Sequence, residues 1–103
     1  MSDRWPFADD KNAATITLQR IMDGSEPVLY VVHDEEDGTW QFLDGNEVSE
    51  SDAVVVSLSN VVEVDPSLQE LADLPRGWRA QRDSPQSLWQ RFRHVRPEDG
   101  DVE

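Results

Sequence analysis

Residues 27–45 read PVLYVVHDEEDGTWQFLDG, and their reading decides the fold. PVLYVVH is an apolar run of strand length, rich in β-branched and aromatic residues. Val28, Tyr30 and Val32 fall on one side of such a strand; Leu29, Val31 and His33 fall on the other. Asp37-Gly38 then signals a turn, because glycine reaches positive φ without a Cβ clash. TWQFL returns, with Trp40 and Phe42 on one side and Thr39, Gln41 and Leu43 on the other. A second pair, Asp44-Gly45, closes it. The stretch predicts a β-hairpin.

Upstream, ATITLQRIMDG (14–24) changes period midway. Ile16 and Leu18 alternate with threonine, as in a strand; Leu18, Ile21 and Met22 then fall on one helical face, and Gly24 suits the end of that helix. Downstream, NEVSESD reads as loop and AVVVSL (53–58) as a buried strand. Val61, Val62 and Val64 fit a helical turn or an extension of that strand. Asp65-Pro66 places an N-cap before a proline at the first helical position. Leu68, Leu71 and Leu74 share one face of the helix it opens, and Pro75 stops it. GWRAQRD alternates as a last edge strand, with charge guarding the edge. SPQSLWQRFRHV reads either as a short amphipathic helix or as an extended segment that packs its Trp.

The fold class these signals predict is α+β. An antiparallel sheet of about 4–5 strands carries one or two short helices on one face. At 103 residues the chain is one domain. The expected organisation is a flexible lead-in over 1–12, a domain over 13–93 and a disordered acidic tail over 94–103. In the lead-in, Trp5 and Phe7 either dock on the domain or are incidental. The expected core is Leu18, Ile21, Val28, Tyr30, Val32, Trp40, Phe42, Val54, Val56, Leu68, Leu71 and Trp78.

Nine basic residues face 22 acidic ones, a net charge of −13. Such a chain repels nucleic-acid backbones and anionic membranes and attracts basic proteins. Charge is unevenly spread: residues 76–96 hold six arginines against one acid, Asp83. Interleaved with Trp78, Trp89 and Phe92, those arginines could stack on bases. The overall charge opposes that role, and pairing with the chain's own acids is the expectation. There is no cysteine, hence no disulfide and no thiolate metal site. The start of the chain, MSDRWPFADDKNAA, has no apolar signal-peptide core, and no apolar run approaches the ~20 residues of a membrane span. A cytoplasmic monomer is the expectation, with no nucleic-acid or membrane partner.

Candidates for chemistry are few. His33 ends an apolar run beside Asp34, and His94 lies in the arginine segment; no His pair has metal-ligand spacing. Counted from Asp34 as an EF-hand loop, position six is Thr39 and position twelve is Gly45, so the required Gly and Glu are missing. No Gly-x-Ser-x-Gly elbow and no glycine-rich phosphate loop occurs. The feature left is carboxylate density: Asp34, Glu35, Glu36, Asp37, Asp44, Glu47, Glu50 and Asp52. It reads as a solvated acidic rim or as a docking face for a basic partner.

Residues 15–82 resemble an uncharacterised family of small bacterial immunity-protein-like chains. The resemblance rests on Gly24, Gly38, Trp40, Phe42, Gly45 and the run Asp65, Pro66, Ser67, Leu68. In the family pattern Trp follows Gly directly, whereas Thr39 intervenes here. The resemblance implies a role in neutralising a toxin, with no catalytic residue and no cofactor. The leading expectation is therefore a non-enzymatic interaction module that binds a basic, toxin-like protein through the acidic face. The rival is a small metal-dependent or hydrolytic domain centred on His33 and the acidic turn. A third reading is an accessory protein with no dedicated pocket.

Overall fold

The structure is a computed structural model that describes residues 5–93, without the side chain of Glu50. The expected tail, 94–103, lies outside the described residues, as do His94 and Arg96.

The hairpin forms as the sequence predicts. β1 is Ala14–Leu18, β2 is Tyr30–His33 and β3 is Trp40–Leu43. β2 and β3 pair antiparallel, with Tyr30 opposite Leu43, Val31 opposite Phe42 and His33 opposite Trp40. In the turn, Asp34 N–H donates to Thr39 O and Gly38 N–H to Asp34 O, while Gly38 takes φ 74°.

β4 (Ala53–Ser57), β5 (Trp78–Gln81) and β6 (Gln90–Arg93) complete one six-stranded sheet in the order β4-β1-β3-β2-β5-β6. The class is α+β, and two details of the expectation are corrected. The sheet has six strands rather than four or five, and it is mixed: β3 lies between β1 and β2 and runs parallel to β1. The reason is the connection after β1. α1 (Gln19–Met22) and the loop that follows return the chain so that β2 enters one strand further out. The hairpin turn then brings β3 back into the gap, parallel to β1. The 78–81 strand is likewise not the last, since β6 pairs outside it, with Trp78 opposite Arg93 and Ala80 opposite Arg91.

The ambiguous valine run is helical. α2 spans Leu58–Val64, and the Ser57 hydroxyl accepts its capping bond from Asn60 N–H. A 3-10 helix, Pro66–Leu71, follows; the Asp65 side chain accepts from Ser67 N–H, and Pro66 opens the first turn. A shorter 3-10 turn, Glu50–Asp52, leads into β4.

Alternation of side chains divides the sheet into two faces. Val31, Phe42, Trp40 and Ala80 occupy one face and are fully buried; Leu58, Val61, Val62, Leu68 and Leu71 of the helices join them in one cluster. Thr15 and Thr17 of β1 are buried with them; the Thr17 hydroxyl donates to Phe42 O at 2.7 Å. Phe7 enters this core from the N-terminal segment, edge-on to Trp40 at 5.4 Å between centroids. Leu18, Ile21, Val28, Trp40, Phe42, Leu68 and Leu71 are buried as expected, while Val54, Val56 and Trp78 are half-buried. Tyr30 and Val32 are corrected: both are half-buried on the opposite face, and Val31 is the buried residue of β2. Val28 and Val31 are both buried although three apart, so the alternation slips where β2 begins. A run of unbroken apolar residues carries no parity signal to reveal that slip.

Candidate functional site

The structure places the predicted acids in two groups, at opposite ends of the β2–β3 hairpin. Asp34, Glu35, Glu36 and Asp37 form the tight turn; Asp44, Glu47 and Asp52 lie past the other end of β3. Four strand residues intervene, roughly 13 Å at ~3.3 Å each.

At the second end the charge is internally paired. β1 and β3 are parallel, so both finish there, and the antiparallel β4 starts there. Arg20, just beyond the central strand of the three, reaches its neighbours on both sides. Its Nε and Nη2 donate to the Asp44 carboxylate at 2.6 and 3.1 Å, and its Nη1 donates to Asp52 at 3.0 Å. Nη2 also donates to the Glu47 carbonyl at 3.1 Å. Asp44 is buried, and the Arg20 hydrogen bond holds its carboxyl below the usual carboxylate range, helped by Asn46 N–H. Asp44 therefore structures its loop and offers no free charge. Glu47 is exposed and engages Arg20 through its carbonyl.

The turn is held largely by its own backbone groups. The Asp34 carboxylate accepts from the N–H groups of Glu36 and Asp37, and Asp37 accepts from Thr39 N–H, which lowers the Asp37 pKa. The Arg76 guanidinium lies over Gly38 of this turn, where a Cβ would meet it at 2.6 Å. Glu35 is exposed, with no hydrogen bond or ion pair among the described residues. Asp9 adds a carboxylate nearby, accepting from Trp40 Nε1–H at 3.2 Å.

His33 is engaged in packing. Its Nδ1–H donates to Leu74 O at 2.7 Å, and its ring stacks on Trp40 at 3.8 Å and 13°. Among the described residues no three His, Cys, Asp or Glu side chains gather in an arrangement that could hold a metal.

The arginine segment is largely spent inside the fold. Arg82, buried, donates to Asp65 at 2.8 Å, Ser67 Oγ at 3.0 Å and Val28 O at 3.1 Å, and its guanidinium lies 4.2 Å from the Trp89 ring centroid. Arg91 pairs with Asp73 at 2.9 Å and donates to Glu70 O. Arg79 donates to the Tyr30 hydroxyl, and its buried Nε has no hydrogen-bond partner among the described residues.

The feature that sequence reading missed is the face of the sheet opposite the helices. The pairing aligns Val55, Ile16, Gln41, Val32, Arg79 and Phe92 in one row across all six strands. Beside that row lie Leu43, Tyr30, Gln81 and Gln90. Arg79 is the one charged residue among these, in a chain of which 30% is charged. Val55 is 71% exposed and Phe92 38%. The available signal was Gln41 between two buried aromatics, which marks the outward parity of β3; the partners of that parity on five other strands needed the register.

Comparison with protein-family models, with curated proteins and with solved structures gives no match to this chain. No described helix is long and apolar enough to cross a membrane.

Proposed function

We propose that this chain is a non-enzymatic protein-interaction module that binds a basic partner protein, as an immunity protein binds its toxin. The observation that carries the reading is the open face of the sheet, on which Arg79 is the one charge in a chain of net charge −13. Charge elsewhere keeps such a chain soluble, and a contiguous face with Arg79 as its single charge, bearing Val55, Val32, Ile16 and Phe92, suits a desolvated contact. The acidic turn at one end of that sheet supplies the field. The exposed Glu35 and Asp37 of that turn steer a positively charged partner toward the sheet.

The rival reading, chemistry centred on His33, has less support. The His33 ring is fixed by Leu74 O and by Trp40, which is how a packed histidine is held. The test is capture from the native cell at low salt. Wild-type chain is expected to retain a basic protein, released by salt. Glu35→Lys with Asp37→Lys should lower its retention, and Gln41→Lys, in the middle of the open face, should abolish it. A partner indifferent to all three substitutions, or none retained, refutes the reading.

A further inference from the structure

The two edges of the sheet differ. β6, QRFR, carries Arg91 and Arg93, which guard it against strand addition. β4, AVVVS, carries no charge over five residues, and Val55 at its centre is the most exposed of its valines.

The ladder fixes which backbone groups this edge offers. Leu58 N–H donates to Ala13 O at 2.8 Å, so 13 and 58 form a hydrogen-bonded pair. Such pairs alternate in an antiparallel ladder, so 15·56 and 17·54 are bonded and 16·55 and 18·53 are not. The N–H and C=O of Val55 therefore point away from β1, to the edge that no other described strand pairs, as do Ser57 N–H and Ala53 C=O. The Val55 side chain meanwhile stands on the open face, in the row that runs through Ile16 and Val32. Exposed acids follow and precede the strand in the chain: Glu47 before it and Glu63 on α2 after it. Asp52, adjacent to the strand, shares Arg20 with Asp44 and keeps 43% of its side chain exposed.

We propose that the free edge of β4 is a strand-addition site that takes an extended, lysine- or arginine-bearing segment of the partner protein as a seventh strand. This rests on the basic-partner reading and names how that partner engages. Main-chain bonds to Val55 supply the register, and alternate side chains of the added strand extend the open face. Charge complementarity selects the occupant. A second copy of this chain would bring its own net charge of −13 to the seam, whereas a basic segment meets Asp52 beside the first residue of the strand.

The test uses the full chain, isotopically labelled, and two blocked peptides. One alternates valine and threonine with lysines at both ends; the other contains lysine and glycine only. The first peptide is expected to shift the amides of Ala53, Val55 and Ser57 saturably and to slow exchange of the Val55 amide. Val55→Pro deletes the outward N–H and leaves the β1 ladder intact, and should weaken binding about tenfold, the worth of one well-made hydrogen bond. Val55→Lys, at an exposed side chain, should weaken it as well and guards against misfolding of the proline variant. Binding of the first peptide away from β4, or binding unchanged in both variants, overturns strand addition. If the lysine–glycine peptide still shifts the 34–37 turn in that case, the basic-partner reading stands. Binding of neither peptide overturns both. Concentration-dependent shifts of the same three amides without peptide assign the edge to a second copy and overturn the proposal.

Discussion

Arg82→Met tests the packing logic most sharply. The Arg82 side chain is 2% exposed and Asp65 22%, at 2.8 Å. Removing one partner of a buried pair costs about 3–5 kcal/mol, chiefly because the other charge is stranded. Here the stranded group is the Asp65 carboxylate, which is partly hydrated and keeps its bonds from Ser67 N–H and Oγ–H at 3.1 and 2.6 Å. Val28 O loses the donor it has in Arg82 Nε. The lower end of the range applies, about 3 kcal/mol. For a domain of this size that lowers the melting temperature by roughly 12–24 °C, at ~4–8 °C per kcal/mol. The assay is urea unfolding followed by tryptophan fluorescence, with calorimetry for the melting temperature. Trp89, stacked on the guanidinium, reports on the site directly. A double-mutant cycle with Asp65→Asn, which preserves the cap, should give a coupling above about 1 kcal/mol. A loss below about 1 kcal/mol on Arg82→Met, the scale of a surface ion pair, refutes the assignment of Arg82 as a buried organising charge.

Other expectations follow from single contacts. Gly45→Ala, at φ 85° with open space around it, should cost about 1 kcal/mol of left-handed strain, read by urea midpoint. Gly38→Ala, at φ 74°, carries the same strain and also pushes the Arg76 guanidinium from the turn, so it should cost at least as much and change the Arg76 environment in NMR spectra. The Asp44 pKa is depressed by Arg20, so its contribution to stability is complete above the unfolded value of about 3.9 and is lost as pH falls through the lower folded value. Unfolding free energy measured from pH 6 down to pH 2 should therefore fall in acid, and less steeply in Asp44→Asn. His33→Phe keeps the stack on Trp40 and loses one hydrogen bond, so it should destabilise by about 1 kcal/mol in the same urea assay.

Local chemistry was legible in the sequence. Asp37-Gly38 marks the hairpin, Asp65-Pro66 marks a capped helical start, and AVVVS marks a strand, because each rests on backbone preferences of adjacent residues. Non-local pairing was not legible. β3 lies beside β1 because the chain after α1 enters one strand out, and no short motif records that. β6 was obscured because Leu88, Trp89 and Phe92 have helical spacing. In the fold Trp89 stacks on Arg82, Phe92 stands on the open face and Leu88 is 86% exposed, so the three never share a face. The acidic run looked continuous because 34–52 is continuous in the chain; Arg20, 24 and 32 residues from its two carboxylate partners, neutralises one end of it. The open face was the least visible feature, since its residues come one or two from each strand.

The central claim is that a basic protein docks on the open face, guided by the acidic turn. Zero-length carboxylate–lysine crosslinking of the captured complex, mapped by mass spectrometry, tests it most directly. Partner lysines are expected to join Glu35 and Asp37 at low salt, with the links lost in the Gln41→Lys chain. Links distributed evenly over the chain's carboxylates, or turn links that persist in Gln41→Lys, would contradict it.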